Sequence, residues 1–199
     1  METREPIPVG CVVMAAGNAE RFGENKLAAV LGGKTLLERA LDVVPTELLQ
    51  AVAVVTQYPA AEALTKEYGF LILRNDRPEL GQSRTIRLGT EALQRVCGAI
   101  VYMVADQPLL RKESVVALID AWREDPTRIV AAAHDGVRGN PCLFPAEFFP
   151  ELCALTGDTG GSAVIRRHTD RLRLVETDPR ELLDVDTEET LELLKLDIP

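Results

Sequence analysis

Short, nearly unbroken apolar runs recur along the chain at 8–14, 51–56, 70–73, 99–104 and 128–133, each of strand length and rich in Val, Ile and Ala. Between them, apolar positions fall at helical spacing over 36–44, 60–68, 85–96 and 113–123. A strand that is apolar on both faces belongs in a sheet covered on two sides, and strand–helix alternation supplies the crossovers that parallel strands need. The pattern predicts an α/β chain built on a largely parallel sheet. Local signals mark several boundaries. Thr35 with Glu38 forms a capping box, Pro59 suits a first helical turn, and Gly69 suits a helix stop. Asp186 with Glu189 reads as an N-terminal cap for a last helix, TEETLELLKL. Past residue 134 the pattern loosens into the proline-rich RGNPCLFPAEFF and the glycine-rich GDTGGSAV. Without a repeat or linker, residues 134–175 read as an insertion within a single domain, 1–199.

Composition narrows the partners. A chain of 199 residues can bury one good core. It has no run near the roughly 20 apolar residues of a membrane helix, and METREPIPVG is no signal peptide, so no membrane association and a cytoplasmic location are expected. Thirty-one acids against 22 Lys and Arg give a net charge of −9, which disfavours nucleic acid as a partner. Arg21, Lys26, Arg84 and Arg87 still form positive islands for a small anion. Cys11, Cys97, Cys142 and Cys153 are scattered without CxxC spacing and read as buried free thiols, while His134 and His168 stand apart, against a protein-built zinc site.

The first apolar run opens into AAGNAERFGENK, 15–26. Ligands of such sheets bind beyond the carboxyl ends of the strands. Ala15, Ala16 and Gly17 let backbone N–H groups approach phosphates closely, and Arg21 and Lys26 add a planar fork and a compact ammonium. Taken alone, the loop is equally a turn with two solvated cations. It lacks the three glycines of the dinucleotide fingerprint, and in AAVLGGKT Ala28 replaces the first glycine of a P-loop. Asp106 follows IVYMVA beside a proline turn, where a carboxylate can hold Mg²⁺ with phosphate oxygens or simply cap a helix. An extended Asp184-Val185-Asp186 turns both acids to one face. With Asp186 engaged as a cap, Asp184 is the preferred second metal ligand.

AAGNAERFGENK resembles the signature of the nucleotidyltransferases related to the molybdenum cofactor guanylyl- and cytidylyltransferases. LGGKTLLERAL, ELGQSRTIRLG, VADQPLL, RGNPCLFPAEFFPEL, GDTGGSAVI and LLDVDTEETL resemble its later blocks in the same order. The resemblance implies a Rossmann-like three-layer α/β/α sandwich with a mostly parallel, mixed sheet. It implies transfer of a nucleoside monophosphate from an NTP with release of pyrophosphate and Mg²⁺ on Asp106. The block around Asp184 and Asp186 supplies a second ligand without the two being separated. Arg21, Lys26 and Asp106 become the catalytic set, and Ala15, Ala16, Gly17, Arg21, Lys26, Gly81, Gln82, Ser83 and Thr85 the nucleotide-binding set, with Ser83 equally a helix cap. Ala-Ala-Gly matches the cytidylyl branch, where the guanylyl branch has Ala-Gly-Gly, so CTP is the expected donor. The implied acceptor is molybdopterin, whose ionised terminal phosphate needs no general base, facing His134, Arg138, Asn140, Asp158 and Gly160. Here Gly160-Gly161-Ser162 departs from the Gly-Ala-Arg of many relatives, and Arg166 and Arg167 read as helix-surface charge. A molybdenum hydroxylase apoenzyme is a possible protein partner. A guanylyltransferase, a sugar- or polyol-phosphate nucleotidyltransferase and a non-catalytic cofactor carrier are the competing readings.

Overall fold

The computed structural model describes residues 7–17 and 26–197. The strands are β1 (Val9–Ala15), β2 (Val30–Leu31), β3 (Lys34–Thr35), β4 (Ala51–Thr56), β5 (Leu71–Arg74), β6 (Ala99–Val104), β7 (Ile129–His134), β8 (Val137–Pro145) and β9 (Leu172–Glu176). The helices are α1 (Leu36–Asp42), α2 (Pro59–Glu67), α3 (Gln82–Leu93), α4 (Lys112–Glu124), α5 (Phe149–Cys153), α6 (Ser162–Arg167) and α7 (Glu188–Asp197). The five apolar runs are β1, β4, β5, β6 and β7; β4 and β6 match their runs, while β1, β5 and β7 each begin one residue later than theirs. Gly69, at φ 71°, ends the α2 region and delays β5 to Leu71.

Seven strands form one mixed sheet in the order β5-β4-β1-β6-β8-β7-β9. β1 runs parallel to β4 and β6, with Val12 opposite Ala53 on one side and Tyr102 on the other. β8 is antiparallel to both its neighbours. Side chains alternate across β1. Cys11, Val13 and Ala15 meet Leu37 and Leu41 of α1 and Leu118 and Trp122 of α4, whereas Val12 meets Ile86 and Leu93 of α3 together with Leu152 of α5. Both faces are therefore covered, as the apolar runs require. Gly89 lets α3 approach closely, since a Cβ there would stand 2.6 Å from both γ-carbons of Val12. That contact seats the start of α3 over the carboxyl end of β1.

The capping box forms as expected, with Glu38 N donating to Thr35 Oγ1 at 3.1 Å and Thr35 N donating to Glu38 Oε2 at 2.6 Å. The GGK stretch is a hairpin turn between β2 and β3, with Gly32 and Gly33 at φ 57° and 78°. Two expectations need correction. α7 is capped by Thr187, whose Oγ1 accepts from Thr190 N at 3.2 Å, and not by Asp186. Residues 134–175 also run through the sheet, because they supply β8 between β6 and β7 and then β9 at the edge. Pro141 disguises β8 in the sequence. It lies where the β7–β8 register shifts and just beyond the last β6–β8 pair, Tyr102 with Cys142, so its missing N–H breaks no ladder bond. The four thiols are free, and burial raises Cys11 to about 12 and Cys142 to about 11. Among the described residues no helix is long and apolar enough to cross a membrane.

Candidate functional site

From β1 the chain steps outward through β4 to β5, then returns to β6 on the other side of β1. The order reverses between β1 and β6, and a crevice opens beyond their carboxyl ends. Ala15-Ala16-Gly17 leaves one strand there and Ala105-Asp106 the other, joined by Ala105 N donating to Met14 O at 3.2 Å. A cavity of about 570 Å³ reaches Ala15, Ala16, Gly17, Lys26 and Asp106 on this side. Gln57 Nε2 donates to Ala16 O at 3.0 Å and Tyr58 Oη to Gly17 O at 2.9 Å, which fixes the loop's backbone. Both follow β4, and nothing in their own sequence neighbourhood marked them. Arg21 lies outside the described residues.

The opposite wall is the start of α3, where Gly81, Gln82 and Thr85 face the same cavity together with Asp158. Gly81 sits at φ 78°, and a Cβ on it would stand 2.6 Å from the backbone of Gly157 and Asp158. Ser83 N donates to Gly157 O at 3.3 Å, and Gln82 N donates to Asp158 Oδ1 at 3.2 Å. A Cβ on Gly160 would meet Gln82 Oε1 at 2.1 Å. The GDTGG turn is thus locked against the helix start. Asp158, expected on the acceptor side, lines the same cavity as Ala15–Gly17, and its carboxylate accepts from the first turn of α3. Gly160 likewise backs Gln82. Ser83 is buried, and its Oγ donates to Leu80 O at 3.3 Å, a bond within the turn. Thr85 Oγ1 accepts from Asn75 Nδ2 at 3.3 Å.

The acids gather where the two strands end. Lys26 Nζ lies 2.6 Å from Asp106 Oδ2 and 3.1 Å from Asp186 Oδ1. Burial opposes the Lys26 charge, but the two carboxylates outweigh it and its pKa is raised. Asp184 belongs to the same group of charges, and among the described residues it makes no ion pair of its own, although the Lys26 charge acts on it. Its pKa rises to about 6, first through desolvation by the protein around the carboxyl and then through the Asp106 carboxylate, although the residue as a whole is exposed. Val185 N donates to Asp106 O at 2.9 Å, tying this segment to the end of β6. Gln107, buried beside Asp106, donates through Nε2 to Leu182 O at 3.3 Å and also favours the ionised form of Asp184.

A second groove of about 600 Å³ runs from Gln107 and Asp184 to His134, Arg138, Asn140 and Ser162. His134, isolated in sequence, is not isolated in space: its Nδ1 lies 2.8 Å from Glu176 Oε1. The ligand atoms of His134, Asp135 and Glu176 fall within 4.8 Å of one another at the groove's rim. His168 pairs with Glu151 at 2.6 Å, away from both cavities. Around Asp106 the donors among the described residues are carboxylate oxygens, three acids against one lysine, and this hard, net negative set fits a divalent ion of the magnesium class.

The chain compares well with known proteins over most of its length. It is 26% identical to the purine catabolism protein PucB of Bacillus subtilis over 96% of this chain and 98% of that one. It is also 26% identical to a probable molybdenum cofactor guanylyltransferase of Aquifex aeolicus, over 57% of this chain and 54% of that one. A nucleotidyl transferase structure from Methanothermobacter superposes with a TM-score of 0.81 at 19% identity, covering 96% of this chain and 97% of that one, so the Rossmann-like fold is shared. Residues 11–172 match the MobA-like NTP transferase domain, and the chain belongs to that family of nucleotidyltransferases.

Proposed function

We propose that this chain transfers CMP from CTP to the terminal phosphate of molybdopterin, with Mg²⁺ and with release of pyrophosphate. The observation that supports this reading best is the juxtaposition of two cavities: one reaches Asp106 and Lys26 from the Ala15–Gly17 loop, and the other reaches Gln107 and Asp184 from Arg138 and Asn140. A donor in the first and an acceptor in the second would meet at the ends of β1 and β6. The preference for CTP rests on Ala15-Ala16-Gly17, which has alanine where the guanylyl branch has a second glycine.

An acceptor phosphate oxygen bonds to the α-phosphorus, and the bond to the bridging oxygen breaks, its electron pair leaving with pyrophosphate. No proton must move, so the side chains supply position and charge. Asp106 and Asp184 would hold the metal, which when bound polarises the α-phosphate. Asp184 is preferred because its carboxyl is partly desolvated beside the Asp106 charge, whereas Asp186 has 61% of its side chain in solvent and anchors Lys26. Lys26 would neutralise the departing phosphates, with Arg21 as its proposed partner. Gly81 and Gln82 present the α3 start to the base, and Arg138, Asn140 and His134 face the phosphorylated acceptor. The location expected for such an enzyme is cytoplasmic, and a molybdenum hydroxylase apoenzyme is the proposed recipient of its product.

Pyrophosphate release with Mg²⁺, molybdopterin and each of CTP, GTP, ATP and UTP tests the reading. Release with CTP is expected. Release with GTP alone would overturn the cytidylyl assignment in favour of the activity named for the Aquifex relative, and no release with any would favour a carrier.

A further inference from the structure

Lys26 has two duties that conflict. As a phosphate-holding residue it should face the cavity with a free ammonium. Instead its Nζ lies 2.6 Å from Asp106 Oδ2 and 3.1 Å from Asp186 Oδ1, with 14% of the side chain exposed. The oxygen it holds on Asp106 is one a metal would use. An ammonium and a divalent ion on one carboxylate repel each other strongly at the reduced dielectric of such a pocket.

We propose that Lys26 is an internal counter-cation of the Asp106–Asp186 pair, and that a divalent ion gains Asp106 only as a nucleotide's phosphates draw Lys26 away. Asp186 then has a positioning role. It is the more exposed anchor, with 61% of its side chain in solvent, and it keeps Lys26 beside the cavity without competing for the metal. Asp186 and Lys26 stand 160 residues apart, so only the fold makes the pair. One consequence is ordered chemistry. Metal alone meets a carboxylate already neutralised, whereas metal with a triphosphate meets one whose lysine has a better partner. Binding of the two is positively coupled beyond the chelate they form in water, and by linkage each strengthens the other equally.

The inference rests on the reading of Asp106 as a metal ligand, and the test separates the two. Mn²⁺ binding to nucleotide-free protein, followed by electron paramagnetic resonance and calorimetry, compares wild type, Lys26→Gln and Asp106→Asn. Lys26→Gln should bind Mn²⁺ more tightly, by roughly 5- to 150-fold, the usual span of site–site coupling. Equal or weaker binding overturns the proposal. Asp106→Asn should lose the site, and if it binds like wild type the ligand assignment itself falls, whatever Lys26→Gln does. A measurement on the wild type alone guards against misfolding of the variant. On the wild type, Mn²⁺ binding followed by electron paramagnetic resonance should tighten when inorganic triphosphate is added, beyond the Mn²⁺–triphosphate chelation measured in buffer alone. Binding no tighter than that chelation accounts for would refute the exchange.

Discussion

On the α3 side of the cavity beyond β1, backbone touches backbone: Gly81 lies against Gly157 and Asp158, and Gly160 lies under the Gln82 amide. On the acid side the parts are held by charge, with Lys26 between Asp106 and Asp186 and with Asp184 pushed towards its neutral form. The first wall is a shape with no slack, suited to presenting fixed backbone groups to a base. The second is an electrostatic arrangement that changes when a cation or an anion arrives. On the proposed function, one site pairs a rigid recognition wall with a responsive reaction centre, and substitutions on the two sides should fail in different ways.

The largest separation is expected at the acids. Asp106→Asn keeps the shape and removes the charge, so turnover should fall by at least about 10²–10³-fold, the scale of losing one strong electrostatic contributor. Circular dichroism and melting temperature should stay near wild type. A variant that unfolds, or one that turns over normally, would break the assignment.

Gly81→Ala reverses that signature. At φ 78° with a 2.6 Å backbone approach, a methyl group both strains the chain and displaces the 157–158 turn. Strain and overpacking together should cost about 2–5 kcal/mol in urea unfolding, with CTP affinity falling alongside. Gly17→Ala is the control, since a Cβ there meets nothing within 4 Å among the described residues. Its stability should move by less than about 0.5 kcal/mol, so any loss of CTP binding reports on the ligand. Equal destabilisation by the two substitutions would remove the claim that the α3 wall is a tight shape.

Asp184 sharpens the comparison through pH. Its folded pKa, about 6, lies above the ordinary value of 3.8, so the fold prefers the protonated form. That preference stabilises the protein fully below pH 3.8 and fades as the pH rises to about 6, leaving an ionised, strained carboxylate at neutrality. Metal-free Asp184→Asn should therefore match wild type near pH 3.5 and gain melting temperature over it between pH 4 and 6, with the advantage constant above that. Its turnover should fall. Loss of melting temperature at pH 7 would show that Asp184 is not held against like charge.

What could be read in the sequence follows the reach of each interaction. The β1 run, its small-residue loop, the Thr35–Glu38 box and Asp106 at a strand end are contiguous patterns, and they were legible. Pro141 hid β8 because a proline argues against a strand, and only the register shift on β7 shows why it is harmless. The Gly81–Gly157 contact and the Lys26–Asp186 pair have no local signal at all, since their partners are brought together by the crossings of the sheet. The order of blocks implied that these segments belong to one site, but it said nothing of which atoms meet. Asp158 illustrates the gap: its turn resembles an acceptor loop, and no local signal shows that its carboxylate accepts from Gln82 N at the start of α3.

The smallest effect concerns Asp186, which the sequence reads as a helix cap. If Asp186 capped α7, Asp186→Ala would cost about 1 kcal/mol. The cap is Thr187, whose Oγ1 takes the N–H of Thr190 at 3.2 Å, while Asp186 is largely exposed and bonded to Lys26. Thr187→Ala should therefore lower stability by about 1 kcal/mol and leave Mn²⁺ binding alone. Asp186→Ala should change stability by under about 1 kcal/mol, as an exposed ion pair does, and should shift CTP-dependent turnover by misplacing Lys26. Parallel urea titrations of the two variants decide between them, because a cap acts on α7 whatever the ligand, whereas a lysine anchor matters only when a triphosphate is present. A larger stability loss from Asp186→Ala than from Thr187→Ala would return Asp186 to the helix and leave Lys26 with Asp106 alone.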